Sequence, residues 1–253
     1  MENKITLNPK AYLFLTSSPF IFSYENGIFI NGGLNKANKL EENLKKFWKS
    51  NSKILYITSD PSGKEMNESI IESTKTELSK TSLTFQSIEL CDGTNQNQNL
   101  KDYEVIILGG GHVPTQNKFF ESINLREKIK NFEGIIIGIS AGSMNSADIV
   151  YAQPELKGEA IDPNYNRFLK GLNLTKIQVL PHYYSIKDEK LDGKRIIEDI
   201  TYDDSVNNCF YILPDGSYII QSIKDIYLFG EGFVIKDRIM EKICNNEESK
   251  KLN

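Results

Sequence analysis

The stretch "EGIIIGISAGSMNSAD", Glu133 to Asp148, decides how the rest of the chain is read. Its first half is a continuous apolar run, the pattern of a strand buried on both faces. Its second half can start a helix. Between them Gly138, Ser140 and Gly142 satisfy G-x-S-x-G, which makes a sharp strand-to-helix turn and lifts a serine hydroxyl above a sheet. A side chain at either glycine would crowd that turn. By itself the pattern is short enough to arise by chance, so its weight comes from its place between an apolar strand and a helix.

Working outward, strands and helices alternate. "AYLFLTSSP" reads as a first strand bounded by prolines, and "FIFSYENGIFING" as a hairpin with Asn26-Gly27 at its turn. "LNKANKLEENLKKFW" puts Leu34, Ala37, Leu40, Leu44 and Phe47 on one helical face. "KILYITSD", "LTFQSIEL" and "YEVIILGGG" read as strands, with "MNESIIESTKTELSK" and "NKFFESINLREKIKNF" as intervening helices. This order predicts an α/β fold with a mainly parallel sheet sandwiched by helices. After Cys209 the pattern changes to short antiparallel strands with tight turns, including "FYILPDGSYIIQ". No linker, repeat or low-complexity segment interrupts the chain, so residues 1–253 are expected to form one domain.

Composition narrows the function classes. Hydrophobic residues make up 39% and charged residues 25% of the 253, enough for a packed core. The net charge of −4 argues against a nucleic-acid partner. No apolar run is long enough to span a membrane, and "MENKITLNPK" has no apolar signal core. The three scattered cysteines, Cys91, Cys209 and Cys244, form no C-x-x-C pair and fit a reduced, cytoplasmic protein. Two distant histidines without H-E-x-x-H do not make a zinc site, so no metal is expected. No acidic residue stands at the right place after the glycine run for a dinucleotide ribose, so no nucleotide cofactor is expected either.

In an open parallel sheet, chemistry gathers at the C-terminal ends of strands. Two such ends are "IILGGGH", Ile106 to His112, and "IIIGISAG", Ile135 to Gly142. They belong to consecutive strands, which often lie side by side. A serine needs a base to become a nucleophile. His182, in "KIQVLPHYY", follows another apolar strand and is the candidate base, while His112 follows the glycines. A carboxylate must orient the base. Between Ser140 and His182 lie Asp148, which should sit in the helix leaving the turn and point away, and Glu155, Glu159 and Asp162. Glu155 and Glu159 lie in a loop-like stretch that could return to the site. Pro154 and Gly158 make a regular helix unfavourable there, so only one of the two should reach the histidine. Exposed N–H groups of Gly111 and Ala141 are candidate donors to an oxyanion.

"GGGH", "GISAGS" and "LPHYY", in that order, resemble the peptidase E (aspartyl dipeptidase) family of serine peptidases, which includes the cyanophycinases. The likeness runs from about Ala11 to about Tyr184. It implies a class I glutamine amidotransferase-like, flavodoxin-like fold with serine in place of the elbow cysteine, which disfavours a glutaminase. It also implies Ser140 as nucleophile, His182 as base, Gly111 and Ala141 as the oxyanion hole, and Gly110 and His112 beside the substrate. Similarity to the cyanophycinase pattern favours Glu159 as the acid over Glu155. Peptidase E has asparagine after the three glycines where this chain has His112, so a strict preference for N-terminal aspartate does not carry over. The resemblance implies hydrolysis of small peptides through an acyl-enzyme, without cofactor, and is compatible with a homodimer. A non-peptidase serine hydrolase or acyl transferase, or a catalytically silent binding protein of the same fold, is the alternative.

Overall fold

A computed structural model describes residues 4–25 and 28–252. In chain order the elements begin with strands β1 (Tyr12–Thr16), β2 (Phe20–Glu25) and β3 (Ile28–Leu34), then helix α1 (Leu40–Lys45). Strand β4 (Ser52–Ile57), helix α2 (Lys64–Ser79), β5 (Phe85–Cys91) and β6 (Val105–Leu108) follow. Helices α3 (Val113–Ser122) and α4 (Leu125–Lys128) lead to β7 (Ile135–Ile139) and α5 (Ala141–Asn145). Next come β8 (Ile149–Tyr151), β9 (Phe168–Lys170), β10 (Gln178–Leu180), α6 (Tyr183–Ile186), β11 (Lys190–Leu191), β12 (Lys194–Arg195) and α7 (Tyr202–Asp204). The chain closes with β13 (Cys209–Ile212), β14 (Tyr218–Gln221), β15 (Ile226–Phe229), β16 (Gly232–Lys236), β17 (Ile239–Cys244) and β18 (Ser249–Leu252).

The central sheet has eight strands in the order β18-β15-β14-β1-β7-β6-β4-β5. From β1 to β5 neighbouring strands are parallel, and β14, β15 and β18 extend the sheet antiparallel. It is therefore a mixed sheet with a parallel half. The parallel half is built from the runs "VIIL" and "IIIGI", which are buried along nearly their whole length because structure covers both faces. Leu13, Leu55, Ile106 and Ile136 pack into one core on one side. Phe14, Ile54, Ile107, Ile135 and Ile137 pack into another on the opposite side, as the period of two along a strand requires.

A second sheet of four strands, β10-β13-β16-β17, stands beside the first. In it β10 and β13 run parallel, with Leu180 opposite Ile212. The segment "FYILPDGSYIIQ" is therefore not a hairpin. Its first strand, β13, belongs to the second sheet and its second, β14, pairs with β1 in the central sheet. The turn Pro214-Asp215-Gly216 is the passage between the two sheets, and it brings Asp215 to their shared edge.

Three other local readings change. The helix anticipated from Leu34 is broken because Asn38 and Lys39 both take left-handed backbone angles, so α1 starts only at Leu40. Leu40 and Leu44 still face the core. The helix after β6 ends at Ser122, and Asn124 (φ 53°) separates it from α4. The helix after Ser140 is only five residues long, so Asp148 lies beyond it in ion pairs with Arg126 and Lys176. Strands β2 and β3 pair as an antiparallel hairpin, while its Asn26-Gly27 turn lies outside the described residues.

Candidate active site

Ser140 sits between β7 and α5 with φ 49° and ψ −109°, a conformation that costs about 1–3 kcal/mol for a residue other than glycine. The surroundings hold it there. The Ser140 N–H donates to the Thr16 and Ser17 carbonyls at 3.0 and 3.1 Å. The Ser143 hydroxyl donates to the Thr16 and Gly138 carbonyls, both at 2.8 Å. The flanking glycines are required by space. A Cβ on Gly138 would lie 2.7 Å from the Ser143 backbone, and one on Gly142 would lie 2.1 Å from the Leu108 carbonyl oxygen.

Strands β6 and β7 are adjacent and parallel, so the glycine run after β6 arrives beside the serine. Gly110 packs against Ser140: a Cβ there would be 3.5 Å from the serine Cβ. Gly111 has φ 147°, and a Cβ on it would be 2.2 Å from the Ser59 hydroxyl, so only glycine fits. The Ser59 hydroxyl fixes the loop by donating to the Gly110 carbonyl at 2.6 Å. Ala141 opens α5, where backbone N–H groups have no partner within the helix.

His182 follows β10 with φ 58°. Its Nε2 lies 2.9 Å from Ser140 Oγ. Its Nδ1 lies 2.7 Å from Asp215 Oδ1. A carboxylate accepts, so Nδ1 carries the proton and Nε2 is free to accept from the serine hydroxyl. Ser17, just past β1, ties the arrangement together: its Oγ accepts the His182 backbone N–H at 2.8 Å and donates to Asp215 Oδ1 at 2.6 Å. Burial works to raise the Asp215 carboxyl. Hydrogen bonds from His182 and Ser17, with the His182 charge and a Ser18 backbone N–H, outweigh it and hold the group below the ordinary carboxylate range. An ionised Asp215 is what a protonated His182 would need opposite it.

Neither glutamate anticipated from the sequence touches His182. Glu159 Oε1 instead accepts from Nε2 of His112 at 2.9 Å. Its Oε2 takes the backbone N–H groups of Glu155 and Leu156, both at 2.9 Å. The choice of Glu159 as partner of His182 is thus corrected: the short turn containing Glu159 folds on itself, and its carboxylate is spent holding that turn to the glycine loop. His112 Nδ1 is also occupied, 2.8 Å from the Thr115 hydroxyl. Both ring nitrogens of His112 therefore face protein, and the ring ties the glycine loop to the turn that holds Glu159. Asp215 follows His182 in the chain, outside the Ser140–His182 interval in which the sequence pattern places the acid. A usable signal was present: "VLPH" and "ILPD" are the same apolar, apolar, proline, polar ending of two strands, and β10 and β13 lie side by side.

Ser140, His182, Gly111 and Glu155 line one cavity of about 410 Å³, together with Met144 and Gln153. Burial pushes the Glu155 carboxyl up to about 7; Glu159 and Glu189 push the same way and His182 pulls it down. Among the described residues, no group of three or more His, Cys, Asp or Glu is placed to hold a metal ion. No helix among them is long and apolar enough to cross a membrane. The cysteines Cys91, Cys209 and Cys244 are free thiols. The geometry provides a hydroxyl, a base positioned to take its proton, an acid behind the base, and glycine backbone at the mouth of a cavity.

The model of peptidase family S51 matches residues 28–227. Among solved structures, a peptidase from an acI-B1 Actinobacterium is similar with a TM-score of 0.62 and 13% identity, covering 96% of this chain and 97% of the other. A putative peptidase E protein from Listeria monocytogenes EGD-e gives a TM-score of 0.55 and 18% identity, covering 92% and 99%. These identities speak for the fold alone. No curated protein sequence matches the chain.

Proposed function

Because the chain belongs to peptidase family S51 and is a serine-type peptidase, we propose that it cleaves small peptides, dipeptides foremost, through an acyl-enzyme on Ser140. The observation that carries this reading is the unbroken relay from Ser140 Oγ through His182 to Asp215, at 2.9 and 2.7 Å. His182 Nε2 removes the Ser140 proton as Oγ attacks the peptide carbonyl carbon. The oxyanion that forms is met by the N–H groups of Gly111 and Ala141. When the C–N bond breaks, His182 returns the proton to the departing amine. Water then enters, gives its proton to His182 and attacks the ester, and the carboxylic acid leaves as Ser140 regains its hydrogen.

Asp215 keeps the Nδ1 proton in place and faces the imidazolium while it exists. Ser17 positions both partners, since one hydroxyl contacts the His182 backbone and the Asp215 carboxylate. No step requires a metal or organic cofactor. The parallel half of the central sheet, with serine at the elbow after β7, supports a glutamine amidotransferase-like arrangement in one domain. A cytoplasmic location is consistent with the three free thiols.

A dipeptide library, followed by chromatography of the released amino acids, tests the reading with Ser140→Ala as comparator. Cleavage by the wild type and none by the variant is expected. Covalent labelling of Ser140 by a fluorophosphonate without cleavage of any peptide would favour an esterase or acyl transferase. Absence of both would favour a silent binding protein.

A further inference from the structure

One neutral side chain in the cavity of Ser140 and His182 is nearly sealed by protein and yet only half paired. Gln153 stands two residues past β8, lines that cavity and is 5% exposed. Its Nε2 donates to the Thr201 hydroxyl at 2.6 Å. Among the described residues its Oε1 accepts no hydrogen bond. Among them, too, only Gln98 Oε1 and the Tyr165 hydroxyl are side-chain atoms both sealed from solvent and unpartnered, so Gln153 Oε1 keeps open surface. The open space that Gln153 borders is the cavity.

The direction of the Gln153 amide is built. The Thr201 hydroxyl donates its one hydrogen to the Ile196 carbonyl at 3.0 Å, so toward Gln153 it can only accept. The amide must therefore turn its NH2 to Thr201 and its oxygen away. Thr201 is fully buried just before α7. Behind it the Tyr151 hydroxyl lies 3.3 Å from Thr201 Oγ1 and donates to Asp204 Oδ2 at 2.9 Å, and Arg167 pairs with the same carboxylate at 3.2 Å. Tyr151 and Gln153, two residues apart on extended chain, both reach Thr201. A carbonyl oxygen that is buried, fixed in direction and without a donor is a preformed acceptor, and a ligand that brings an N–H to it meets little ordering cost. A ligand that brings an oxygen without hydrogen leaves both atoms unpaired.

We propose that Gln153 is a specificity-determining residue of this site: its Oε1 accepts an N–H of the peptide substrate, and Thr201 is the positioning residue that aims it. This rests on the peptidase reading given above. A dipeptide offers two such donors, the α-ammonium of its free N-terminus and the N–H of the scissile amide. An analogue that lacks the donor in use places an unpaired oxygen before it, and the enzyme discriminates against that analogue.

The test measures kcat/KM of the wild type, Gln153→Met and Thr201→Val on three compounds: Leu-Leu, its analogue 4-methylpentanoyl-Leu without the α-ammonium, and the ester in which oxygen replaces the scissile N–H. Dividing each variant's ratios by those of the wild type cancels the intrinsic reactivity of the ester. The wild type is expected to favour Leu-Leu over the analogue that lacks the donor in use. Gln153→Met should shrink that preference about three- to tenfold if the donor is the amide N–H, and about ten- to a hundredfold if it is the α-ammonium. Thr201→Val, which frees the amide to turn, should shrink the same preference, and it carries the test if Gln153→Met does not fold. Labelling by a small fluorophosphonate without an N–H reads the nucleophile apart from the substrate, and its rate should stay within about threefold of wild type in both variants. Calorimetry measures binding of Leu-Leu to Ser140→Ala with and without Gln153→Met. Ratios unchanged in Gln153→Met, or in Thr201→Val where Gln153→Met is unfolded, overturn the inference and leave the peptidase reading intact. So does labelling that falls as far as hydrolysis of Leu-Leu, which would show a merely structural role. Binding of Leu-Leu to Ser140→Ala that weakens with Gln153→Met, without hydrolysis of any peptide by the wild type, supports the inference and overturns the peptidase reading. No binding and no hydrolysis of any peptide overturn both.

Discussion

Replacing Asp215 by asparagine keeps the volume of the side chain and removes its charge. In the native arrangement Oδ1 accepts from His182 at 2.7 Å and from Ser17 at 2.6 Å. If the amide oxygen stays toward His182, the bond survives but loses charge assistance. That difference, about 1–1.5 kcal/mol, is worth roughly tenfold in rate. If the amide nitrogen turns toward the ring, Nδ1 must give up its proton, Nε2 carries it, and the base is disabled. A serine–histidine relay with the wrong tautomer loses about 10⁴-fold in kcat. Asp215 is half exposed, with 49% of its side-chain surface open, so water can partly replace it. The expected loss in kcat/KM is therefore about 100- to 1,000-fold, between those limits. The assay is kcat/KM on the best dipeptide together with the rate of fluorophosphonate labelling, with circular dichroism to show that the variant is folded. A loss below tenfold in Asp215→Asn, together with a loss of thousands in Glu159→Gln or Glu155→Gln, would refute the assignment of the acid.

Glu159→Gln should raise KM by about tenfold or less, with a smaller change in kcat, because its carboxylate clamps the turn rather than the base; steady-state kinetics separate the two parameters. Gly142→Ala places a Cβ 2.1 Å from the Leu108 carbonyl oxygen, and thermal denaturation should show a loss of about 3 kcal/mol or more, a Tm lower by roughly 6–12 °C. Burial pushes the Glu77 carboxyl up to about 7 against smaller opposing effects of Ser73 and Lys80. Its folded value lies above its unfolded one, near 4.3, so the folded state holds the proton more tightly and stability contributed by this group is lost as pH rises from about 4.3 to about 7. Denaturation at a series of pH values should show this slope diminished in Glu77→Gln.

Much of the fold was legible because its signals are local. "VIILGGG" and "IIIGIS" are apolar runs stopped by small residues, and they became adjacent parallel strands ending at the site. The serine elbow was legible for the same reason, as two glycines fixed by sterics within five residues. Where the sequence misled, a long-range partner overrode a local pattern. Asn38 and Lys39 look helical in period, yet the Asn38 side chain donates to the Gly216 carbonyl across the sheet edge and its backbone takes the left-handed form. "FYILPDGSYIIQ" has the pattern of a hairpin, but β13 found β10 and β14 found β1. That divergence carried Asp215 to His182, and no count of residues between Ser140 and His182 could have revealed it. Glu159 was eligible by position alone; its partner, His112, is 47 residues earlier in sequence and became visible only through the fold.

In the proposed mechanism Ser140 is the nucleophile of a peptidase. Mass spectrometry of the protein after reaction with a fluorophosphonate, followed by peptide mapping, tests it most directly. One adduct per chain is expected, carried by the peptide containing Ser140 and absent from Ser140→Ala, with peptide hydrolysis lost in step with labelling. An adduct on another residue, or a Ser140→Ala protein that still cleaves dipeptides at the wild-type rate, would contradict it.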